Sequence, residues 1–322
     1  MPPRQRHETG ASPPAPPAGH PERGASCQRA RHLQDRRSGE SPRALRPTLG
    51  TAPLGPGATV RAVRLRNLTL DDLTIEDERS FRHVSLYEEL KQALRRDGYR
   101  FRVPVPEGAG RPAPWDRVLF LNLTFWDAAE QGDVLAEASL PADVVAHVAW
   151  HHLAGRALGA SGASADAHLF AEAIASAFDL YLLGRLLGHA PDAQFLETQV
   201  PAMAEVAEAA GLEEERFEAL LESVSADPDR AFEDLRELLF DAATTLLACT
   251  TVDAAVRALE RFDAHRFGPL LHHYELSNWI LSARARSGSA LAPDPAVRAL
   301  DAALRAAPVA LDHLERAWLG PR

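Results

Sequence analysis

The alternation of apolar and polar positions divides the chain into three stretches with different periods. Residues 1–58 show almost no apolar periodicity and hold 11 of the 24 prolines, so they cannot bury enough surface to offset their ordering entropy. They are predicted to be a disordered Pro/Arg-rich tail, or sequence upstream of the folded protein. From Val60 the pattern suits strands. Residues 60–70 alternate, offering Val60, Val63, Leu65 and Leu68 for burial. Ser85 and Glu88 have capping-box spacing and open a predicted helix that ends at the Asp97–Gly98 turn. Residues 99–105 read as an edge strand, because Pro104 interrupts them and Pro106 follows. Residues 117–126 form the most apolar strand pattern and are expected to lie centrally. Residues 59–135 are therefore expected to be a small α+β part.

At Pro141 the period lengthens to about 3.6 residues and stays there. Residues 141–188 predict two helices joined by a Gly/Ser turn, with Pro141 at the first helical position and Ser164 as N-cap of the second. Further helices are predicted over 193–210, 213–223, 228–249, 252–265, 269–286, 294–306 and 308–318. Residues 136–322 read as a helical domain. The fold class is mainly α: a helical bundle with a small strand-containing N-terminal part.

The first two of these helices carry polar stripes on otherwise apolar surfaces. Asp143, His147 and His151 are spaced i, i+4, i+8, and His168, Glu172, Ser176 and Asp179 line up on the next helix. Such stripes are costly to bury unless they satisfy each other or a cation. Histidines four apart present two imidazoles to one point, and Glu172 follows across a turn long enough to reverse the chain. His147, His151 and Glu172 are the candidate metal ligands, for Zn2+ or alternatively iron. Asp143, His168 and Asp179 are candidates for orienting those ligands or for binding a second ion. A second reading stays open, in which the stripes form a metal-free hydrogen-bonded network that fixes helix packing in a non-enzymatic interaction or scaffold protein. Trp150, Val144, Val145 and Val148 read as core, and His152 as exposed.

A strand, a helix with His-x-x-x-His and a following helix with Glu resemble gluzincin-type zinc metallopeptidases over residues 120–188. The resemblance implies that His147 and His151 are the helix ligands and Glu172 the third. The family's motif has Glu directly after the first His as general base, and this chain has Val148 there. Valine cannot take a proton. The resemblance therefore implies a degenerate relative that keeps metal and lacks peptidase activity, any remaining base coming from His168 or Asp179.

A second polar cluster comprises His265, His272, His273, Glu275, Asn278 and Trp279. Helical spacing would place His272, Glu275 and Trp279 on one face, either aimed at the main site or forming a mixed surface, with Leu270, Leu271, Tyr274, Ile280 and Leu281 as the core side. The acidic runs at 213–215 and 233–237 read as solvated faces. Charge narrows the partners. The tail holds nine Arg against four acids, so the rest of the chain carries about −15 to reach the overall −10. That excludes nonspecific nucleic-acid binding, which needs cationic neutralisation of phosphates, and leaves an unidentified protein or peptide as the expected partner. Two cysteines, Cys27 and Cys249, exclude a disulfide framework. No apolar run reaches the ~18 residues of a membrane span, and no apolar leader is readable, so the expectation is a soluble, cytoplasmic protein without membrane contact. Phosphate-cradling loops and the nucleophile elbow have no matching motif.

Overall fold

The computed structural model describes residues 65–105, 133–159, 164–287 and 292–320. The predicted tail at 1–58 and the predicted central strand at 117–126 lie outside them. Among the described residues the chain is mainly α-helical, with two short two-stranded sheets.

The N-terminal elements are β1 (Leu65–Leu68), β2 (Thr74–Glu76), α1 (Glu78–Phe81), α2 (Ser85–Arg96) and β3 (Phe101–Pro104). β1 and β3 pair antiparallel, with Leu65 opposite Pro104 and Leu68 opposite Phe101. β3 is not the edge that its prolines suggested. All four of its residues are buried, and Arg102 bridges to Val134 on the side away from β1. Pro104 is tolerated because it sits at the last paired position. The Ser85–Glu88 capping box also fails to form: Val84 occupies the cap, and Glu88 instead meets Gln92 and Lys91. A reciprocal box forms at Thr69, whose backbone N–H and hydroxyl both donate to Asp72.

β4 (Ser139–Pro141) pairs in parallel with β2 and runs straight into α3 (Ala142–Leu158). Pro141 is the residue before the helix rather than its first residue, with an extended ψ of 152°. This short ladder sets where α3 begins, and hence the height of its histidines. α4 (Ala165–Leu187) follows, and Ser164 caps it as expected, accepting from the Ala167 N–H at 3.1 Å. α4 is the central helix among the described residues. It is apolar nearly all round, and α3, α6 (Glu214–Ala226), α7 (Pro228–Leu247) and α9 (Leu276–Ser287) all pack on it. Small residues let its neighbours approach closely. A Cβ on Gly184 would stand 2.6 Å from the Val224 carbonyl oxygen of α6.

The remaining helices are α5 (Gln194–Ala209), α8 (Val252–Leu259), α10 (Pro295–Ala306) and α11 (Ala310–Leu314). The predicted helix over 269–286 breaks in two. A 3-10 segment, Gly268–Tyr274, ends at Glu275 in the left-handed region (φ 47°), and α9 starts after it. Leu281, expected in the core, is exposed. Glu233, expected in a solvated face, is buried with Arg236 and Asp301. Arg236 Nη1 donates to Asp301 at 2.7 Å and Nη2 to Glu233 at 2.7 Å. No helix of the described residues is long and apolar enough to cross a membrane.

Candidate metal centre

α3 and α4 pack side by side, and their polar stripes meet as the spacing required. Trp150 anchors the contact: it is fully buried, with its ring 5.4 Å from that of Phe178. With Trp150, Val145 and Val148 turned into the core, the opposite residues His147 and His151 are left half-buried toward α4.

His147 Nε2 and His151 Nε2 lie 3.2 Å apart. Two nitrogens on a tetrahedral zinc, each ~2.0–2.1 Å from the metal, stand about 3.3–3.4 Å apart. Glu172 Oε2 lies 3.5 Å from His151 Nε2. One ligand atom from each of His147, His151 and Glu172 falls within 4.8 Å of the others, so this group could hold a metal ion. The two imidazole Nε2 atoms thus sit at the separation of two ligands on one zinc ion.

The groups around the triad are placed as supports. The Asp179 carboxylate accepts from His147 Nδ1 at 2.9 Å. That bond suits a proton on Nδ1, so a His147 that gives up its other proton would offer its Nε2 lone pair to a metal. His168 Nε2 stands 3.9 Å from the other oxygen of Glu172, within ion-pair range. Asp143 contributes no ligand atom to the group; its carboxyl is raised to about 6 by burial and by the neighbouring Asp179 charge. Burial works against an imidazolium at His147, but the Asp179 charge and hydrogen bond prevail and raise it to about 9. Burial works against ionised Glu172, yet His151 beside it overrides this and brings it down to about 2. Without metal these histidines and carboxylates hold one another in a mutually stabilising cluster.

Asp179 meets His147, and His168 stands beside Glu172, so both candidate bases also neighbour the ligands, and Asp179 borders the cavity as well. Val148 is 7% exposed and belongs to the hydrophobic core, so the position after the first His offers no proton acceptor. His152 is not exposed as expected: it reaches Asp97 at 2.9 Å beside Arg156 and packs edge-on against Tyr99.

His147 and Glu172 border a cavity of about 310 Å³. α4 contributes Ser176, Asp179, Leu180 and Leu183, and α5 contributes Phe195, Gln199 and Met203. The far wall is His273, Tyr274, Glu275, Asn278 and Trp279, so part of the second polar cluster does face the main site. His265 and His272 do not. His265 Nδ1 accepts from the Phe267 N–H, and His272 borders a different cavity. The break at Glu275 overturns the expected single face and brings Tyr274, assigned to the core, into the cavity wall. Burial lowers the His273 imidazole below its ordinary value and, with the Asp179 charge, raises the Tyr274 phenol. Glu275 Oε2 accepts from Asn278 Nδ2 at 2.6 Å. The α5 residues carried no signal in the sequence, because ordinary apolar positions of an amphipathic helix look alike whether they face core or cavity.

No protein-family model matches the chain, and no curated protein and no solved structure matches it either.

Proposed function

We propose that this chain binds one divalent transition-metal ion, zinc first, through His147, His151 and Glu172, and that it resembles a zinc-peptidase core without peptidase activity. The observation that carries this reading is the 3.2 Å approach of the two Nε2 atoms while Asp179 holds the opposite nitrogen of His147. Without metal, one imidazole can donate to the other across this distance; a cation would replace that bond by taking both Nε2 lone pairs. A donor set of two histidines and one glutamate suits zinc with an open coordination position, and also ferrous iron. When bound, the metal would supply Lewis acidity at the cavity. The chain's own residues would bind and orient a ligand there, with Val148 leaving the usual general-base position empty of chemistry.

A second reading has its own support, since His151, Glu172, His147 and Asp179 already form a connected polar network across α3 and α4. In that reading the network only fixes helix packing, in a protein that acts by binding a protein or peptide partner. Elemental analysis of the untagged full chain separates the two. The metal reading expects about one equivalent of zinc or iron, lost in His151→Ala and Glu172→Ala while far-UV circular dichroism is retained. Folded protein that stays metal-free after zinc is offered overturns it.

A further inference from the structure

The cavity beside the triad has a composition of its own. Among the described residues three carboxylates border it, Glu172, Asp179 and Glu275, and no lysine or arginine does. A divalent ion on the triad would still leave one negative charge uncompensated. Glu172 and Asp179 are committed to the histidines, whereas Glu275 is exposed at the rim. Only one Glu275 oxygen is engaged among the described residues, by Asn278. Phe195, Tyr274 and Trp279 add aromatic surface to the same wall. Aromatic rings attract cations through their negative faces, and a carboxylate at the rim adds charge complementarity. The volume lies at the lower end of the ~300–1,000 Å³ typical of small-molecule sites. At the rim an anion would meet a carboxylate, and a fully apolar ligand would leave that carboxylate without a counter-charge.

The geometry points to a binding site for a small organic ammonium cation, its charge held between the Glu275 carboxylate and the Trp279 and Tyr274 rings. The site shares its cavity with the proposed metal centre, and the inference rests on that reading only for the identity of the inner wall.

The test uses choline and its neutral isostere 3,3-dimethylbutan-1-ol, titrated calorimetrically into the full chain, both zinc-loaded and chelator-stripped. The two probes carry the same hydroxyl, so contact with a metal contributes equally to both. A quaternary nitrogen neither ligates metal nor donates a hydrogen bond, which isolates the charge. Choline is expected to bind about tenfold tighter than the alcohol. Glu275→Gln, a surface change that keeps an acceptor for Asn278, is expected to bring the ratio to about unity with unchanged circular dichroism. Equal binding of the two probes by the wild-type chain, or a preference for choline that survives Glu275→Gln, overturns the inference. Zinc uptake without choline preference removes the ammonium site alone. Choline preference in a chain that takes up no zinc removes the metal reading alone.

Discussion

At the scale of single residues, Asp179 is the side chain whose removal discriminates best between ligand and scaffold. It lies outside the His147, His151 and Glu172 group, yet its contact with His147 Nδ1 would favour the tautomer that offers Nε2 to a metal. Asp179→Asn keeps the shape and removes the charge. If the site is a metal centre, this change lowers zinc affinity ~10–100-fold, measured by competition with a chelating dye. Unchanged affinity would show that the bond is incidental. Val148 gives the opposite kind of prediction. It is buried in the core, so Val148→Glu places a carboxylate among apolar side chains instead of restoring a base. Urea unfolding is expected to show a loss of about 2–4 kcal/mol, with no peptide hydrolysis gained. Both residues were named from the sequence. Their consequences were not legible there, because helical spacing gives a face and not the identity of what lies opposite.

At the scale of elements, α4 carries the fold, and its contacts depend on small side chains as much as large ones. Gly184 sits where α6 passes closest, with the Val224 carbonyl oxygen inside the space of a Cβ. The offending atom is backbone, so it cannot swing away. Gly184→Ala is expected to cost about 1–3 kcal/mol despite alanine's better helix propensity, read from the chemical-denaturation midpoint. A neutral or stabilising result would mean that α4 and α6 part easily. Helix boundaries were legible because caps and breakers are local. Asp227 and Thr251 accept from the N–H groups three residues on, and the predicted helices starting beside them appear within a few residues of expectation. The failure at 269–286 was different in kind. Nothing local marks Glu275 as left-handed, and that conformation is sparsely populated for glutamate, so packing of the Gly268–Tyr274 turn against α5 must impose it.

At the scale of the whole molecule, two charge arrangements tie distant segments together. Arg236 is fully buried between Glu233 of its own helix and Asp301 of α10. Removing one partner from a buried charge group is strongly destabilising, so Asp301→Ala is expected to cost about 3–5 kcal/mol in urea unfolding. A change below ~1 kcal/mol, roughly the value of a surface pair, would show that water reaches the guanidinium. Asp97, just past α2, meets His152 and Arg156 of α3. Burial alone would raise its carboxyl, but the His152 hydrogen bond and the Arg156 charge hold it below its ordinary 3.8. A folded-state value below the unfolded one means that the unfolded chain binds the proton more readily. This contribution is therefore present above about pH 4 and lost as pH falls through the folded value. Asp97→Asn should flatten the acid limb of the stability profile below pH ~4, and an unchanged limb would place the acid sensitivity elsewhere.

The sequence by itself determined the helical class, the order and approximate bounds of most helices, and the presence of a polar stripe on each helix flanking a Ser164-capped turn. These follow from periodicity, capping and breakers, which act over a few residues and are written in neighbouring side chains. Only the tertiary structure decided that Asp179 serves His147, that Glu233 is buried against Asp301, and that β3 is covered on both sides. It also brought Phe195, Met203 and the Tyr274–Trp279 segment together around one cavity beside the triad. Each of those depends on residues tens of positions apart meeting at a few ångströms, and a helical period specifies which way a residue faces without specifying its neighbour.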